Sequence, residues 1–331
     1  MLSTLLLVTI PLPNLTLPAP TTKAVRAAVE IALPQLKKGA TGHVEQKTCF
    51  ACHNQTLPML AFSTANGRGF TIPPALAKEQ AEHISSFLES NRERFKDGRG
   101  TGGQVDTAAA AIFTLELAGH KPDENTAAVV EFLLKSQSDR DHWRASGDRP
   151  PSEASDFSTT YYAVRGLKFW GPPANADKQK TAKRIDAARS WLVKTPAKDT
   201  EDRVFRLLAL KETGSEAKEV AAAAWELQRT QRADGGWAQL DNGRSDAYAT
   251  GSALVALHLA GGLKTDAPAY RTGMAYLLKT QRADGTWFVK SRSKPFQPYY
   301  ESGFPHEKDQ FIAIAASGWA TTALALAVEK K

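Results

Sequence analysis

The sequence predicts an all-α protein in which about six helical hairpins close into a ring, an architecture called an α/α toroid. Three segments share one template, in which an amphipathic stretch ends at a Gln and a Trp follows six residues later. Ala-rich stretches alternate with these segments and end at glycines spaced 52, 52, 43 and 47 residues apart: Gly67, Gly119, Gly171, Gly214 and Gly261. Such a period is typical of stacked supersecondary units.

Each repeat is predicted to contain two helices of different character. The first is amphipathic, whereas the second is short and rich in Ala, with apolar residues on several faces, as in 251–260. A helix that is apolar on most sides is buried, and Ala lets helices approach closely. The second helices should therefore form an inner layer and the first helices an outer layer, in the units 23–70, 78–119, 123–171, 178–214, 216–262 and 266–328.

Two of the repeats carry a recognisable motif. The stretches Gln231–Trp237 (QRADGGW) and Gln281–Trp287 (QRADGTW) resemble the QW repeat of squalene–hopene cyclases and related prenyltransferases. The resemblance implies a terpenoid cyclase/prenyltransferase-like toroid over nearly all of residues 23–331. It also implies that the Gln caps a helix end and the Trp stacks in the next loop, so that these residues brace the fold and are not catalytic.

The catalytic and zinc-binding motifs of those families are absent from this sequence. The chain has no Asp-x-Asp-Asp cluster of the kind that protonates substrates in class II terpene cyclases. Protein prenyltransferases hold zinc with an Asp-x-Cys pair, but neither cysteine of this chain has an Asp two residues before it. A set of Asp residues instead begins the inner helices, where a carboxylate accepts hydrogen bonds from free N–H groups: Asp106, Asp156, Asp202, Asp246 and Asp309. The catalytic residues therefore stay unknown.

Both cysteines fall in one short motif. Cys49-Phe-Ala-Cys52-His53 is C-x-x-C-H, the attachment signature of c-type haem. The motif predicts one covalent haem c, with thioether bonds to Cys49 and Cys52 and with His53 as the proximal iron ligand. A redox disulfide and a zinc site are the alternatives, although the first lacks its usual βαβ context and the second lacks nearby ligands. In the repeat frame this motif lies at the rim of the ring, in the loop of the first unit.

The enlarged loop of the sixth unit, residues 290–309, is expected to supply a second iron ligand, because ring closure brings that unit beside the first. A long loop in a compact repeat array is usually functional or mobile. His306 is the first candidate for the distal ligand, His43 is a second, and an open sixth position is a third possibility.

Residues 1–20 are interpreted as a signal peptide, because an apolar run, MLSTLLLVTI, precedes a Pro-rich segment. Residues 21–331 are expected to form a single toroid domain in the periplasm or outside the cell. No apolar run reaches the length of a transmembrane helix, so none is expected in the mature chain. The net charge of +7 is a mild excess, and no nucleic-acid partner is expected.

The first functional hypothesis is an exported mono-haem, cytochrome-like protein that acts in electron transfer or haem-dependent redox chemistry. Its partner would be a redox protein or a small molecule in the ring cavity. The second hypothesis is a terpene cyclase- or prenyltransferase-like enzyme, or an isoprenoid-binding protein, without haem. The third is a non-catalytic toroidal binding module. The sequence leaves open whether the protein is an enzyme.

Overall fold

The computed structural model describes residues 20–171, 175–295 and 298–329. The predicted signal peptide lies outside this part of the chain except for Pro20. Six hairpins are present among the described residues, each made of an outer and an inner helix. The outer helices are α1 (Thr22–Gln46), α3 (Pro74–Ser90), α6 (Glu124–Lys135), α8 (Asn175–Lys194), α10 (Ala217–Gln228) and α12 (Pro268–Thr280).

The inner helices are α2 (Leu57–Asn66), α5 (Gln104–Leu117), α7 (Asp156–Trp170), α9 (Thr200–Glu212), α11 (Ala247–Leu259) and α13 (Gln310–Leu326). A short helix, α4 (Arg92–Lys96), follows α3, and a π-helical turn, Cys52–Thr56, leads into α2. A two-residue antiparallel pair of strands, β1 (Trp237–Ala238) and β2 (Ser245–Asp246), precedes α11, with Trp237 opposite Asp246.

The inner helices close into a ring. Each inner helix contacts the next one along the chain, and the last, α13, packs on both α11 and the first, α2. The predicted all-α toroid of about six helical hairpins is therefore confirmed, with the inner and outer layers assigned as expected. None of the helices in the described ranges has the length and hydropathy needed to cross a membrane.

Small residues set the spacing between the inner helices. Every residue of α13 from Ile312 to Leu326 is buried. A Cβ added at Gly251 in α11 would lie 2.6 Å from the backbone nitrogen of Ala320, and one added at Gly318 would lie 2.9 Å from the backbone of Leu57. These helices therefore touch through their backbones, which explains the Ala and Gly content that predicts them.

The Gln and Trp residues of the repeat brace the fold, as the resemblance implies, although the Gln281 side chain does not cap its own helix end. The buried indoles of Trp143, Trp237 and Trp287 donate to the carbonyl ten residues earlier, at 3.0, 3.0 and 2.8 Å. Gln281 donates through Nε2 to the carbonyls of Gly285 (3.0 Å) and of Ala28 in α1 (2.9 Å). The second of these bonds joins the last outer helix to the first across 253 residues of chain.

The predicted helix-capping aspartates are only partly right. Asp246 caps α11, because its Oδ1 accepts from the Ala249 N–H at 2.9 Å. Asp156, Asp202 and Asp309 tie the loop that precedes their own helix to the ring, whereas Asp106 ties the loop of the next unit. For example, Asp309 accepts from the Ser291 N–H at 2.8 Å, and Asp106 accepts from Ser146. The caps of α7 and α9 are Ser155 and Asp199, one residue before each helix begins.

Replacing Gln281 with Ala should destabilise the ring by about 1–2 kcal/mol, because two backbone carbonyls lose a donor at the closure between α12 and α1. Urea unfolding measures the difference. Gln228→Ala, at an exposed position without such a bond, is the matched control and should change the free energy of unfolding by less than about 0.5 kcal/mol. Equal effects of the two substitutions would contradict the closing role of Gln281.

Candidate functional site

A cavity of about 700 Å³ opens at one end of the ring. It lies where the loops that lead into α2, α5, α7 and α13 meet, and we call it the rim cavity. Its lining is rich in aromatic and Pro side chains, including Phe50, Phe87, Pro150, Pro151, Pro298, Tyr299, Tyr300 and Phe311. The enlarged loop of the sixth unit contributes residues 291, 293–295, 298–300 and 308–309 to this lining, as the predicted proximity of units six and one requires.

The cysteine motif lines the rim cavity. Cys49 is exposed and Cys52 half-buried, and both are free thiols, so the disulfide alternative is not formed in this structure. Burial, with smaller contributions from Glu153 and Asp106, raises the pKa of Cys52 well above its ordinary value. The Cys52 thiol is therefore protonated and a poor nucleophile at neutral pH.

His53 lies at the inner limit of the same cavity. Its ring contacts Phe311 edge to face, with 4.9 Å between the ring centroids. Burial, assisted by the nearby His43 and Arg149, lowers its pKa from 6.5 to about 3. His53 is therefore a neutral imidazole at any physiological pH, which is the form that binds metals.

His43 holds the motif loop in place. Its Nε2 is 2.7 Å from the Cys49 carbonyl oxygen and must donate to it, so Nδ1 accepts from the Tyr300 hydroxyl at 2.6 Å. Burial lowers the pKa of His43 to about 4. The sequence offered His43 as a second distal ligand, whereas the structure shows it bracing the backbone of the loop.

His306 is not brought together with the cysteines. Its Nε2 lies 2.8 Å from Thr286 Oγ1, and its ring packs against Phe288 and Phe304, with centroid distances of 5.4 and 6.0 Å. It does not line the rim cavity. These contacts hold His306 on the far side of its loop, so the geometry gives no support to its expected role as the distal ligand.

Two largely buried carboxyl groups, those of Glu153 and Asp106, lie near the cysteine motif. Glu153 pairs with Arg149 in the loop of the third unit, and burial raises the pKa of Glu153. Asp106 accepts hydrogen bonds from Thr159 and Ser146, and burial raises its pKa as well. Asp246, one of the aspartates expected to begin an inner helix, has a pKa raised by burial to about 6 but lines no part of the rim cavity.

Known proteins place this architecture among the terpene cyclase folds. Residues 170–330 match the family model of the squalene-hopene cyclase C-terminal domain. The type II terpene cyclase MstE from Scytonema, in complex with geranylgeranyl dihydroxybenzoate, superposes with a TM-score of 0.55 at 12% identity, over 93% of this chain and 98% of that one.

Two further structures share the fold. The apo form of MstE matches with a TM-score of 0.55 at 13% identity, over 92% of this chain and 98% of that one. A protein from Actinoplanes matches with a TM-score of 0.57 at 13% identity, over 93% and 99%. At such identities the likeness establishes the fold alone. No curated protein is significantly similar in sequence.

These matches overturn the first functional hypothesis. An exported mono-haem, cytochrome-like protein for electron transfer or haem-dependent redox chemistry was expected from the C-x-x-C-H motif, and this expectation is wrong. The family match and the structural neighbours are of the terpene cyclase type, which corresponds to the second hypothesis. The C-x-x-C-H motif spans five residues, whereas the repeat that accompanies the terpene cyclase fold extends along the chain.

The stability of the protein should fall as the pH drops from 6.5 towards 4. The pKa of His43 is about 4 in the folded protein and 6.5 when unfolded, so the unfolded chain binds more protons in this window. The contribution of His43 should reach about 3 kcal/mol. In urea titrations at several pH values, His43→Gln should flatten the pH dependence, because Gln can still donate to the Cys49 carbonyl but does not titrate. An unchanged slope would contradict this account.

Proposed function

We propose that the protein binds an apolar small molecule of the isoprenoid type in the rim cavity. The observation that carries the proposal is the cavity itself, about 700 Å³ in volume and lined by aromatic side chains, in a terpene cyclase-like ring. Ligand pockets of about 300–1,000 Å³ with a mainly apolar lining are typical of small-molecule sites.

The chemistry of the lining supports this ligand class. Rings of Phe50, Phe87 and Phe311 offer apolar faces to a branched hydrocarbon chain, and each aromatic contact adds to the gain from burying apolar area. The ligand of MstE named above contains a geranylgeranyl group, so an isoprenoid already occupies one protein of this fold. The proposal concerns binding, because no Asp-x-Asp-Asp acid is present to define a reaction.

Farnesol, a linear C15 isoprenoid, should bind, and filling the cavity should weaken its binding. Gly102 lines the rim cavity, and a Cβ added there would meet no atom within 4 Å, so Gly102→Trp adds bulk without backbone strain. Isothermal titration should show Kd for farnesol raised at least about tenfold, a loss of roughly 1.4 kcal/mol.

Gly67→Trp is the matched control, because Gly67 does not line the cavity and an added Cβ there makes only ordinary contacts at 3.5 and 3.6 Å. Its Kd for farnesol should equal that of the wild type. Absence of farnesol binding to the wild type, or equal weakening by both substitutions, would defeat the proposal.

Covalent haem c at the motif stays a prediction of the sequence, and it would compete for the same space. The residues present fit such a group in one respect, since Cys49, Cys52 and His53 all line one cavity large enough for a ligand. The thiols would hold the porphyrin and the neutral His53 would bind the iron, which supplies redox chemistry when bound. Export of the chain, which haem attachment in bacteria requires, also stays a prediction.

The visible spectrum separates the two occupants. The full chain should be expressed in a bacterium with cytochrome c maturation machinery and purified from its periplasm. A Soret band that persists after denaturation, and that is absent from Cys49→Ala, would establish haem and exclude an isoprenoid from the rim cavity. The isoprenoid proposal predicts a colourless protein that binds farnesol.

A further inference from the structure

A second, much smaller cavity lies directly behind the rim cavity, at the centre of the ring. Its volume is about 30 Å³, enough for one oxygen atom of a ligand or a single water. The two cavities share a wall made of Cys52, His53, Ser152, Glu153 and Ala315. The inner cavity is therefore the deep end of the same site.

Glu201 brings an unpaired oxygen to the inner cavity. It is the second residue of α9, its exposure is 4%, and its Oε1 accepts from the Tyr248 hydroxyl at 3.1 Å. Its Oε2 is buried and has no hydrogen-bond partner in the described structure. A buried polar atom without a partner costs about 1–3 kcal/mol, so such an atom is rarely kept without a role.

Trp319 of α13 supplies a second unpaired group at the same place. Its exposure is 3%, and its indole Nε1 has no partner in good hydrogen-bonding geometry among the described residues, although the Trp319 and Tyr248 side chains also interact with each other. An indole N–H can only donate. Trp319 lies within an inner helix, unlike the Trp residues of the three repeat segments, whose indoles each donate to a carbonyl.

Glu201 is also a donor at neutral pH. Burial, assisted by the nearby Asp199, raises its pKa to about 8, so its carboxyl group carries a proton. Since Oε1 accepts from Tyr248, the proton belongs on the unpaired Oε2. The other titratable or charged groups around it are Asp202, Arg292, Tyr162, Tyr248, Cys52, His53, Asp106 and Glu153.

We propose that Glu201 and Trp319 form a pair of hydrogen-bond donors that binds an oxygen acceptor at the inner end of the isoprenoid. This inference rests on the proposed function and narrows its ligand class to isoprenoids with a terminal oxygen acceptor, such as a carbonyl, ether or hydroxyl oxygen. The selectivity has a physical reason: a hydrocarbon end would leave both donors unpaired, whereas one oxygen with two lone pairs satisfies both.

Farnesal and farnesene test the proposal, because they share a C15 skeleton and differ in the terminal carbonyl. Isothermal titration of the full chain should give a Kd about tenfold lower for farnesal. Glu201→Leu and Trp319→Phe, which each remove a donor at similar volume, should weaken farnesal binding and leave farnesene binding nearly unchanged. Glu201→Gln retains an N–H donor and should preserve most of the preference.

The outcomes separate this inference from the function on which it rests. If neither compound binds, both the isoprenoid proposal and this one fail. If both bind equally, or if the preference survives in Glu201→Leu and Trp319→Phe, only the donor pair is overturned, and the inner cavity holds an ordered water instead. Infrared difference spectra between wild type and Glu201→Gln should show the carbonyl band of a neutral carboxylic acid at pH 7, and absence of that band would also overturn the proposal.

Discussion

The close approach of the inner helices is the constraint on which the rest of this structure depends. At Gly251 and Gly318 the helices α11, α13 and α2 meet with no room for a side chain. This contact lets six short helices close into a ring whose centre is filled by side chains. Because the centre is filled, space for a ligand remains at the rim, where the loops between helices diverge.

The location of the site follows from this packing. The rim cavity is built from the loops of units one, two, three and six, whose lengths vary, while the helices beneath them keep the repeat. Loops on a rigid scaffold are where binding residues usually lie. His43 holds the motif loop by donating to the Cys49 carbonyl, and it accepts in turn from Tyr300 of the enlarged loop, so two distant parts of the chain define one wall.

Much of the fold could be predicted from the sequence, because its signals are local and repeated. The Gln-to-Trp spacing and the Ala-rich stretches gave the hairpins and their layers, and ring closure placed the cysteine motif beside the sixth unit. The side-chain directions in the enlarged loop could not be predicted. The His306 side chain bonds to Thr286, whereas Tyr300 bonds to His43. The second contact joins residues 257 positions apart, and no motif or repeat spacing in the sequence indicates it.

The inner cavity was missed for a related reason. Glu201 lies in the acidic run Asp199-Thr-Glu-Asp202 at the start of a helix, where charged residues ordinarily face solvent or cap the helix. Only the ring brings it to the centre, beside Tyr248 and Trp319 from two other units.

The rate at which Cys49 is alkylated tests the central claim most directly, because this exposed thiol lines the cavity in which the ligand is placed. Iodoacetamide labelling of the colourless, full-length protein should be followed by mass spectrometry with and without saturating farnesol. The account predicts that farnesol slows the labelling of Cys49 several-fold. Bound farnesol with an unchanged labelling rate would place the ligand elsewhere and contradict it.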